Sequence, residues 1–176
     1  MDAPRAARGE GARQGGLRFE MDTEQWDIIR AHQRAWPVQM VPLASALGVK
    51  IYRVDVWPDN VSGRIYKSAL RGGHAGYAID VNSGHPEVRR RFTMAHDLAH
   101  FLLHRQYIGE GIYDDALYRS GLPSAMETQA NKLAAEILMP DHLLTAAVNQ
   151  GIQSPEALAR AFQVSEAAMQ IRLHTA

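Results

Sequence analysis

Residues 89–104 read RRRFTMAHDLAHFLLH, and this stretch decides the predicted fold and its site. Its apolar residues recur at helical spacing, so we predict a helix from about residue 86 to about residue 106. His96 and His100 lie four residues apart, which puts their side chains about 40° apart on neighbouring turns of one helix face. Two neutral imidazoles on a rigid helix can supply half of the ligands of a zinc ion.

Asp97 stands between the two histidines and points about 100° round the helix from His96. In the zinc-hydrolase motif H-E-x-x-H, a glutamate at this position handles the proton of the attacking water. This chain has aspartate there, which is one methylene shorter. We predict Asp97 as the catalytic base, and activity depends on its bringing an oxygen within about 2.6–3.2 Å of that proton.

A third ligand is needed, because catalytic zinc generally takes three protein ligands and keeps one position for water. The chain has no cysteine, which leaves histidine or a carboxylate. Residues 124–140, SAMETQANKLAAEILMP, predict a helix capped by Ser124, and Glu127 lies in its first turn. Two roles compete for this carboxylate: metal ligand, or partner of Ser124 in a capping box, with the histidines then incidental to an amphipathic helix.

Taken together, the segments FTMAHDLAHFLLH and ETQANKLAAEILMP resemble the ImmA/IrrE family of metallo-endopeptidases. That family joins an F-T-x-A-H-E-x-x-H-x-x-L-H helix to an E-x-x-A-N-x-x-A-A-x-L-L-M-P helix. The similarity extends more loosely over most of the chain but not over its N-terminal tail. The resemblance implies a zincin-like fold with His96, His100 and Glu127 as the ligands of one zinc ion, for which manganese is the alternative. It also puts Asp97 at the position of the general base.

Three further residues are candidates for supporting the ligands or facing a substrate. Asn131 matches the family's asparagine, His104 lies one turn beyond His100, and Tyr77 begins a predicted strand. Glu136 also matches the family pattern. It lies nine residues from Glu127, on the opposite helix face, and we do not predict a catalytic role for it.

The resemblance also implies a function, since the family cleaves helix-turn-helix repressors of the Xre type. The chain is therefore predicted to be a zinc-dependent endopeptidase that cleaves such a repressor and so relieves repression of stress or mobile-element genes. One alternative is a catalytically weakened member that acts as a metal-stabilised, protein-binding regulator. Two others are an HD-type phosphohydrolase, which shares the His96-Asp97 doublet, and a DNA-binding module formed by residues 154–174.

Composition limits the partners and the location. The 176 residues are 46% hydrophobic, with 19 basic and 19 acidic residues and zero net charge, so no overall charge draws the protein to nucleic acid or membrane. The absence of cysteine fits a reducing compartment. The sequence has no apolar run of transmembrane length and no signal-peptide core. We therefore expect a cytoplasmic protein with a protein substrate, no direct nucleic acid contact and no membrane contact.

The predicted fold class is α+β, with a small antiparallel or mixed sheet packed on the metal-binding helix. Strands are predicted near residues 49–57, 63–70 and 76–82. By position, the strand from Tyr77 to Asn82 is the candidate edge strand for pairing with a substrate, against the alternative of an ordinary structural strand.

The remaining expectations concern domains and connections. We predict a disordered tail at residues 1–18, a zincin-like domain at 19–150, and helix-turn-helix-like helices packed on it at 151–176. Residues 107–123 form a long connection that could cover the cleft. Its Tyr107, Tyr113 and Tyr118 are candidate donors to the oxyanion, with packing as the alternative role. The three arginines at residues 89–91 are predicted to form a solvated helix face.

Overall fold

The computed structural model of the protein describes residue 19 and residues 21–115 and 122–175, so the predicted disordered tail lies outside the described residues. The helices are α1 (Thr23–His32), α2 (Met40–Ala46), α3 (Glu87–Leu103), α4 (Ser124–Leu138), α5 (Asp141–Asn149), α6 (Pro155–Phe162) and α7 (Glu166–Thr175). The strands are β1 (Val49–Val54), β2 (Val61–Lys67), β3 (Tyr77–Asn82) and β4 (Ile112–Asp115). The predicted α+β class is confirmed.

The strands form one mixed sheet in the order β1-β3-β2-β4. Strand β3 pairs parallel with β1 and antiparallel with β2, and β4 pairs antiparallel with β2. The prediction that Tyr77–Asn82 is the edge strand is wrong, because β3 is hydrogen-bonded on both sides and all six of its residues are buried. Among the described strands, β1 and β4 are the edges.

Helix α3 crosses one face of the sheet and lies very close to β2. The approach is possible because position 63 is glycine. A Cβ added there would lie 2.4 Å from Cγ2 of Thr93 and 2.9 Å from Oδ2 of Asp97. On the same face of the sheet, Tyr77 packs edge-on against Phe101 of α3, with ring centroids 5.1 Å apart. The sheet therefore sets how closely α3, which carries the H-D-x-x-H motif, approaches it and which face of α3 is turned towards it.

The C-terminal helices share this core. Leu158 and Phe162 of α6 and Met169 of α7 belong to the same cluster of buried apolar residues as the strands. Arg172 of α7 is only 7% exposed and donates to Oε2 of Glu136 at 2.9 Å, which ties α7 to α4. The core is therefore continuous across residue 150, while the division into two units at that point stays a prediction.

Arg91 corrects the expectation of a solvated arginine face at residues 89–91. Its side chain is buried and donates from Nη2 to the carbonyl oxygen of Val38 at 2.9 Å, and from Nε to that of Gln163 at 3.2 Å. Burial lowers the pKa of this guanidinium from its usual value. A planar fork of donors can satisfy two carbonyls at once, so Arg91 joins α3 to the turn between α6 and α7. Arg89 is exposed, as predicted.

Candidate metal centre

The site lies where α3 and α4 pack against each other. His96 and His100 are one turn apart on α3, and Glu127 lies in the first turn of α4. The N-cap of α4 is Pro123 and not Ser124 as predicted, and its cap makes no side-chain hydrogen bond. The carboxylate of Glu127 instead contacts the imidazoles of α3. Of the two roles that compete for Glu127, the geometry therefore favours the ligand.

Three side chains converge with their ligand atoms facing one another. Nε2 of His96 lies 3.0 Å from Nε2 of His100. The Glu127 carboxylate lies 3.3 Å from the first nitrogen through Oε2 and 3.4 Å from the second through Oε1. These three residues form the one group of metal-ligating type found within the described part of the chain, with all ligand atoms within 4.8 Å of one another.

The spacing of these atoms fits a tetrahedral zinc ion. Nitrogen and oxygen ligands about 2.0–2.2 Å from such an ion lie roughly 3.3–3.6 Å from one another. The two nitrogen–oxygen separations, 3.3 Å to Oε2 and 3.4 Å to Oε1 of Glu127, lie in that range, and the nitrogen–nitrogen separation of 3.0 Å is slightly shorter. Two neutral imidazole nitrogens whose lone pairs face each other repel, and a cation between them would bind both lone pairs. The donor set suits zinc and leaves a fourth position for water or substrate.

Each imidazole is also held from its other nitrogen. Nδ1 of His96 donates to Oδ1 of Asn131, one of the candidate supporting residues, at 3.0 Å. Nδ1 of His100 lies 3.0 Å from Nδ1 of His104, whose Nε2 donates to Oε1 of Gln129 at 3.0 Å. Sequence reasoning missed Gln129, because its contact depends on how α4 passes the end of α3 and follows no spacing rule.

Asp97 lies on a different side of α3, between the helix and the sheet. It is fully buried, and neither carboxylate oxygen has a hydrogen-bond partner within the described residues. Burial, together with the nearby charge of Asp114, raises the pKa of Asp97 well above its usual value. Asp114 belongs to β4 and accepts a hydrogen bond from Oγ1 of Thr93 at 3.2 Å. The predicted base therefore shares a desolvated space with a second carboxylate.

Asp114 is a residue that sequence reasoning missed. It lies in β4, a strand of four residues within the segment that was predicted to be a loop over the cleft. The signal was weak, because glycines at positions 109 and 111 precede the strand and no long alternating pattern marks it. Strand β4 therefore brings both an edge and a carboxylate next to α3.

The two imidazoles differ in their pKa values. Burial alone would lower the pKa of His96, but the hydrogen bond to Glu127 and the charges of Asp97 and Asp114 outweigh it, and the pKa is raised. For His100, burial dominates and the pKa is lowered. A neutral imidazole is the form that binds metal, so the more deeply buried His100 is already biased towards it.

The candidate tyrosines that the structure describes do not join the cluster of metal-ligating residues. Tyr77 is 9% exposed and packs on Phe101 in the core, so the expectation that it faces a substrate or supports a ligand is corrected. Tyr113 accepts a hydrogen bond from Nη1 of Arg64 at 2.9 Å, on the sheet face opposite to Asp114. Tyr107 is half exposed beyond the end of α3. Tyr118 lies outside the described residues.

A cleft of about 360 Å³ opens beside Glu127, at the N-terminal end of α4. It is lined by Leu122, Ser124, Glu127, Thr128 and Asn131. Because a ligand candidate and its supporting asparagine both line the cleft, the centre can be reached from solvent. A site with an accessible ligand is suited to chemistry on a bound substrate, whereas a purely structural zinc site is closed.

A mixed sheet under a helix with an H-D-x-x-H motif, joined to a second helix that supplies a glutamate, defines the zincin-like class of α+β domains. The chain belongs to the family of the IrrE N-terminal-like domain, peptidase M78, whose model matches residues 44–174. That family match confirms the resemblance to ImmA/IrrE proteins.

Among solved structures, the fold is similar to that of a Mycobacterium tuberculosis transcriptional regulator, with a TM-score of 0.58 and 20% sequence identity. The match covers 85% of this chain and 46% of that protein, so the chain spans about half of the regulator's length. At this identity the likeness supports the fold alone. No curated protein sequence gives a significant match. No helix in the described ranges is both long and apolar enough to cross a membrane.

Proposed function

We propose that the protein is a zinc-dependent endopeptidase that cleaves a helix-turn-helix repressor of the Xre type. The observation that carries the proposal is the convergence of two imidazole nitrogens and a carboxylate within 3.0 to 3.4 Å of one another. Family membership supports metallopeptidase chemistry. Zinc is preferred over manganese because two imidazoles and one carboxylate form a ligand set typical of catalytic zinc.

His96, His100 and Glu127 would hold the ion, and Asn131 would orient His96 through its Nδ1. When bound, zinc polarises a carbonyl and lowers the pKa of a water to about 7. Asp97 would accept the proton from the attacking water and deliver it to the leaving amine. Burial raises the pKa of Asp97, which makes its carboxylate a stronger proton acceptor for the first of these transfers.

The substrate is proposed to bind along β4. Among the described residues this strand pairs only with β2, and it carries Asp114 next to the helix of the candidate metal ligands. An extended peptide added to a free edge gains backbone hydrogen bonds whatever its sequence. That mode suits cleavage of a segment that has left its folded domain. It transfers to β4 the substrate-pairing role that the sequence assigned to Tyr77–Asn82.

The test combines metal analysis with a cleavage assay on the helix-turn-helix repressor encoded beside this protein. We expect one zinc ion per purified chain, and cleavage that is lost on chelation, restored by zinc, and absent in Glu127→Gln. A matched control is Glu136→Gln, on the same helix but paired with Arg172, which should retain zinc and activity. Cleavage that persists in Glu127→Gln, or a chain that binds no zinc, would overturn the proposal.

A second candidate function is that of a catalytically weakened member acting as a metal-stabilised regulator that binds the repressor without cutting it. The observation that favours it is the position of Asp97, whose short carboxyl is buried against Gly63. If aspartate does not reach the water, general-base assistance of about 10²- to 10⁴-fold is lost while zinc still binds. Zinc binding and repressor binding by the wild type, with cleavage only by Asp97→Glu, would identify this function.

The other two functions receive less support. An HD-type phosphohydrolase needs an all-helical bundle, whereas this chain has a four-stranded sheet. A DNA-binding role for α6 and α7 would need exposed cations, and Arg172 of α7 points inward to Glu136 and Asp141. Binding of DNA fragments that falls steeply with salt would revive that second possibility.

A further inference from the structure

A line of polar side chains extends from the nitrogen of His100 that does not face Glu127. Nδ1 of His100 lies 3.0 Å from Nδ1 of His104, and Nε2 of His104 lies 3.0 Å from Oε1 of Gln129. His100 is fully buried and His104 is 4% exposed. The line starts on α3, passes through the first residue after that helix, and ends on α4. It therefore joins the two helices that make up the metal centre.

The chemistry of each atom gives the line a direction. Oε1 of Gln129 can only accept, so Nε2 of His104 carries the hydrogen of that bond. A neutral imidazole has one donor and one acceptor nitrogen, so Nδ1 of His104 is the acceptor. The facing Nδ1 of His100 must then donate. It follows that Nε2 of His100, the nitrogen 3.0 Å from Nε2 of His96, carries a lone pair and no hydrogen.

We propose that His104 and Gln129 are positioning residues that hold His100 in the tautomer able to bind a metal through Nε2. The inference rests on the metal site of the proposed function and adds the device that prepares one of its ligands. His96 obtains the same tautomer more directly, by donating from Nδ1 to Asn131. Partners at the far nitrogen of a ligating histidine fix the ring's orientation and raise its basicity.

The decisive variants are His104→Leu and His104→Asn, both neutral. Leucine removes the acceptor for Nδ1 of His100, whereas asparagine offers Oδ1, an acceptor attached at the same carbon as Nδ1 of histidine. We expect the zinc affinity of His104→Leu, measured by competition with a chromogenic chelator, to fall about 10- to 100-fold. His104→Asn should recover most of that affinity. Gln129→Met should show a smaller loss, because His104 can then adopt either tautomer.

A second measurement needs no metal. In the metal-free protein, at a pH where the imidazoles are neutral, nitrogen-15 NMR distinguishes protonated from unprotonated ring nitrogens. We expect the wild type to show the hydrogen of His100 on Nδ1, and the two Nδ1 nuclei of His100 and His104 to differ in protonation. In His104→Leu the His100 signal should move towards a mixture of tautomers. A role confined to packing would leave the tautomer unchanged.

The outcomes separate this inference from the proposed function. If the wild type binds zinc and His104→Leu binds it equally tightly, the positioning role is wrong and the metal site stands. If the wild type binds no zinc, the proposed function is wrong, and the NMR of the metal-free protein still decides the tautomer. A hydrogen on Nε2 of His100 in the wild type overturns the inference. If His104→Leu does not fold, Gln129→Met and the wild-type spectrum decide.

Discussion

The two sides of α3 differ in how completely their polar groups are satisfied. On the side facing α4, every ring nitrogen of His96 and His100 has a polar neighbour at 3.0 to 3.4 Å. On the side facing the sheet, Asp97 is fully buried, and neither of its oxygens is hydrogen-bonded within the described residues. On the side facing α4, the ligand side, contacts within the protein already orient both imidazoles. On the side facing the sheet, the base side, the carboxylate of Asp97 lacks a hydrogen-bond donor among the described residues.

Under the proposed function, this difference predicts that substitutions can change metal binding and proton transfer separately. A buried carboxyl without a hydrogen-bond donor lowers the free energy of unfolding by about 1–3 kcal/mol. Such groups in folded proteins are often explained by a catalytic role. The ligand side has no comparable cost, because each ring nitrogen of His96 and His100 has a polar neighbour.

The largest effect should come from breaking the ligand side. Glu127→Gln keeps the volume of the side chain but replaces the carboxylate that contacts both imidazoles. We expect zinc to be lost on dialysis and repressor cleavage to disappear, because an outer partner alone is worth about 10- to 100-fold in affinity and a ligand is worth more. Metal content measured by mass spectrometry checks this, and zinc retained in Glu127→Gln at the wild-type level would contradict it.

On the base side, Asp97→Glu restores the methylene that the motif usually carries. If the chain is the catalytically weakened member, in which the aspartate does not reach the water, we expect the cleavage rate to rise by about 10²- to 10⁴-fold, the range of general-base assistance. Zinc affinity should stay within a few-fold of the wild type, because Asp97 is not one of the three candidate ligands and points about 100° round the helix from His96. Single-turnover cleavage at saturating enzyme measures the rate. A slower Asp97→Glu enzyme would show that aspartate already reaches the water.

The sequence predicts the ligand side of this comparison far better than the base side. Helical spacing brings His96 and His100 onto one face, and the family pattern supplies Glu127 and Asn131. Spacing alone left Glu127 between ligand and cap, because both roles need a carboxylate in the first helical turn. The choice depends on how α4 packs on α3, a contact between residues about 30 positions apart that has no local signal.

The errors in the sheet have one cause. Strand β4 is four residues long and lies in a glycine-containing segment, so the sequence gives no signal that a strand pairs with β2 there. Without β4, the sequence order predicts that β3, the last strand before α3, is the edge of the sheet. Asp114 was missed for the same reason. The direction of Arg91 also depends on distant carbonyls, those of Val38 and Gln163, and not on its neighbours in the helix.

A smaller effect should come from loosening one ligand without removing it. Asn131→Leu removes the acceptor for Nδ1 of His96 and is close to asparagine in size. We expect zinc affinity to fall about 10- to 100-fold, since the ring loses the partner that fixes its tautomer. Asn131→Asp is the matched control, because it keeps an acceptor and should bind zinc at least as tightly as the wild type. Isothermal titration with zinc compares the two, and equal affinities would contradict the role of Asn131.

The smallest effect concerns the stability of the metal-free protein. Asp97→Ala removes a fully buried carboxyl that has no hydrogen-bond partner in the described part of the chain. Relief of its desolvation should raise the free energy of unfolding by about 1–3 kcal/mol, less whatever the small cavity costs. Urea denaturation of metal-free protein, followed by circular dichroism, measures the change at neutral pH.

The matched variant on the other side of the helix is His96→Ala, which should have the opposite sign. His96 donates to Asn131, and its ring stacks on Phe92 with 6.4 Å between ring centroids. Replacing His96 by alanine removes both the hydrogen bond and the ring contact. A loss of about 0.5–1.5 kcal/mol is expected for this part-buried hydrogen bond, because Asn131 is exposed and water can replace the lost donor. If both substitutions destabilise equally, Asp97 has partners that the described contacts lack. In that case the polar groups on both sides of α3 are equally well hydrogen-bonded, and the buried position of Asp97 stabilises the fold.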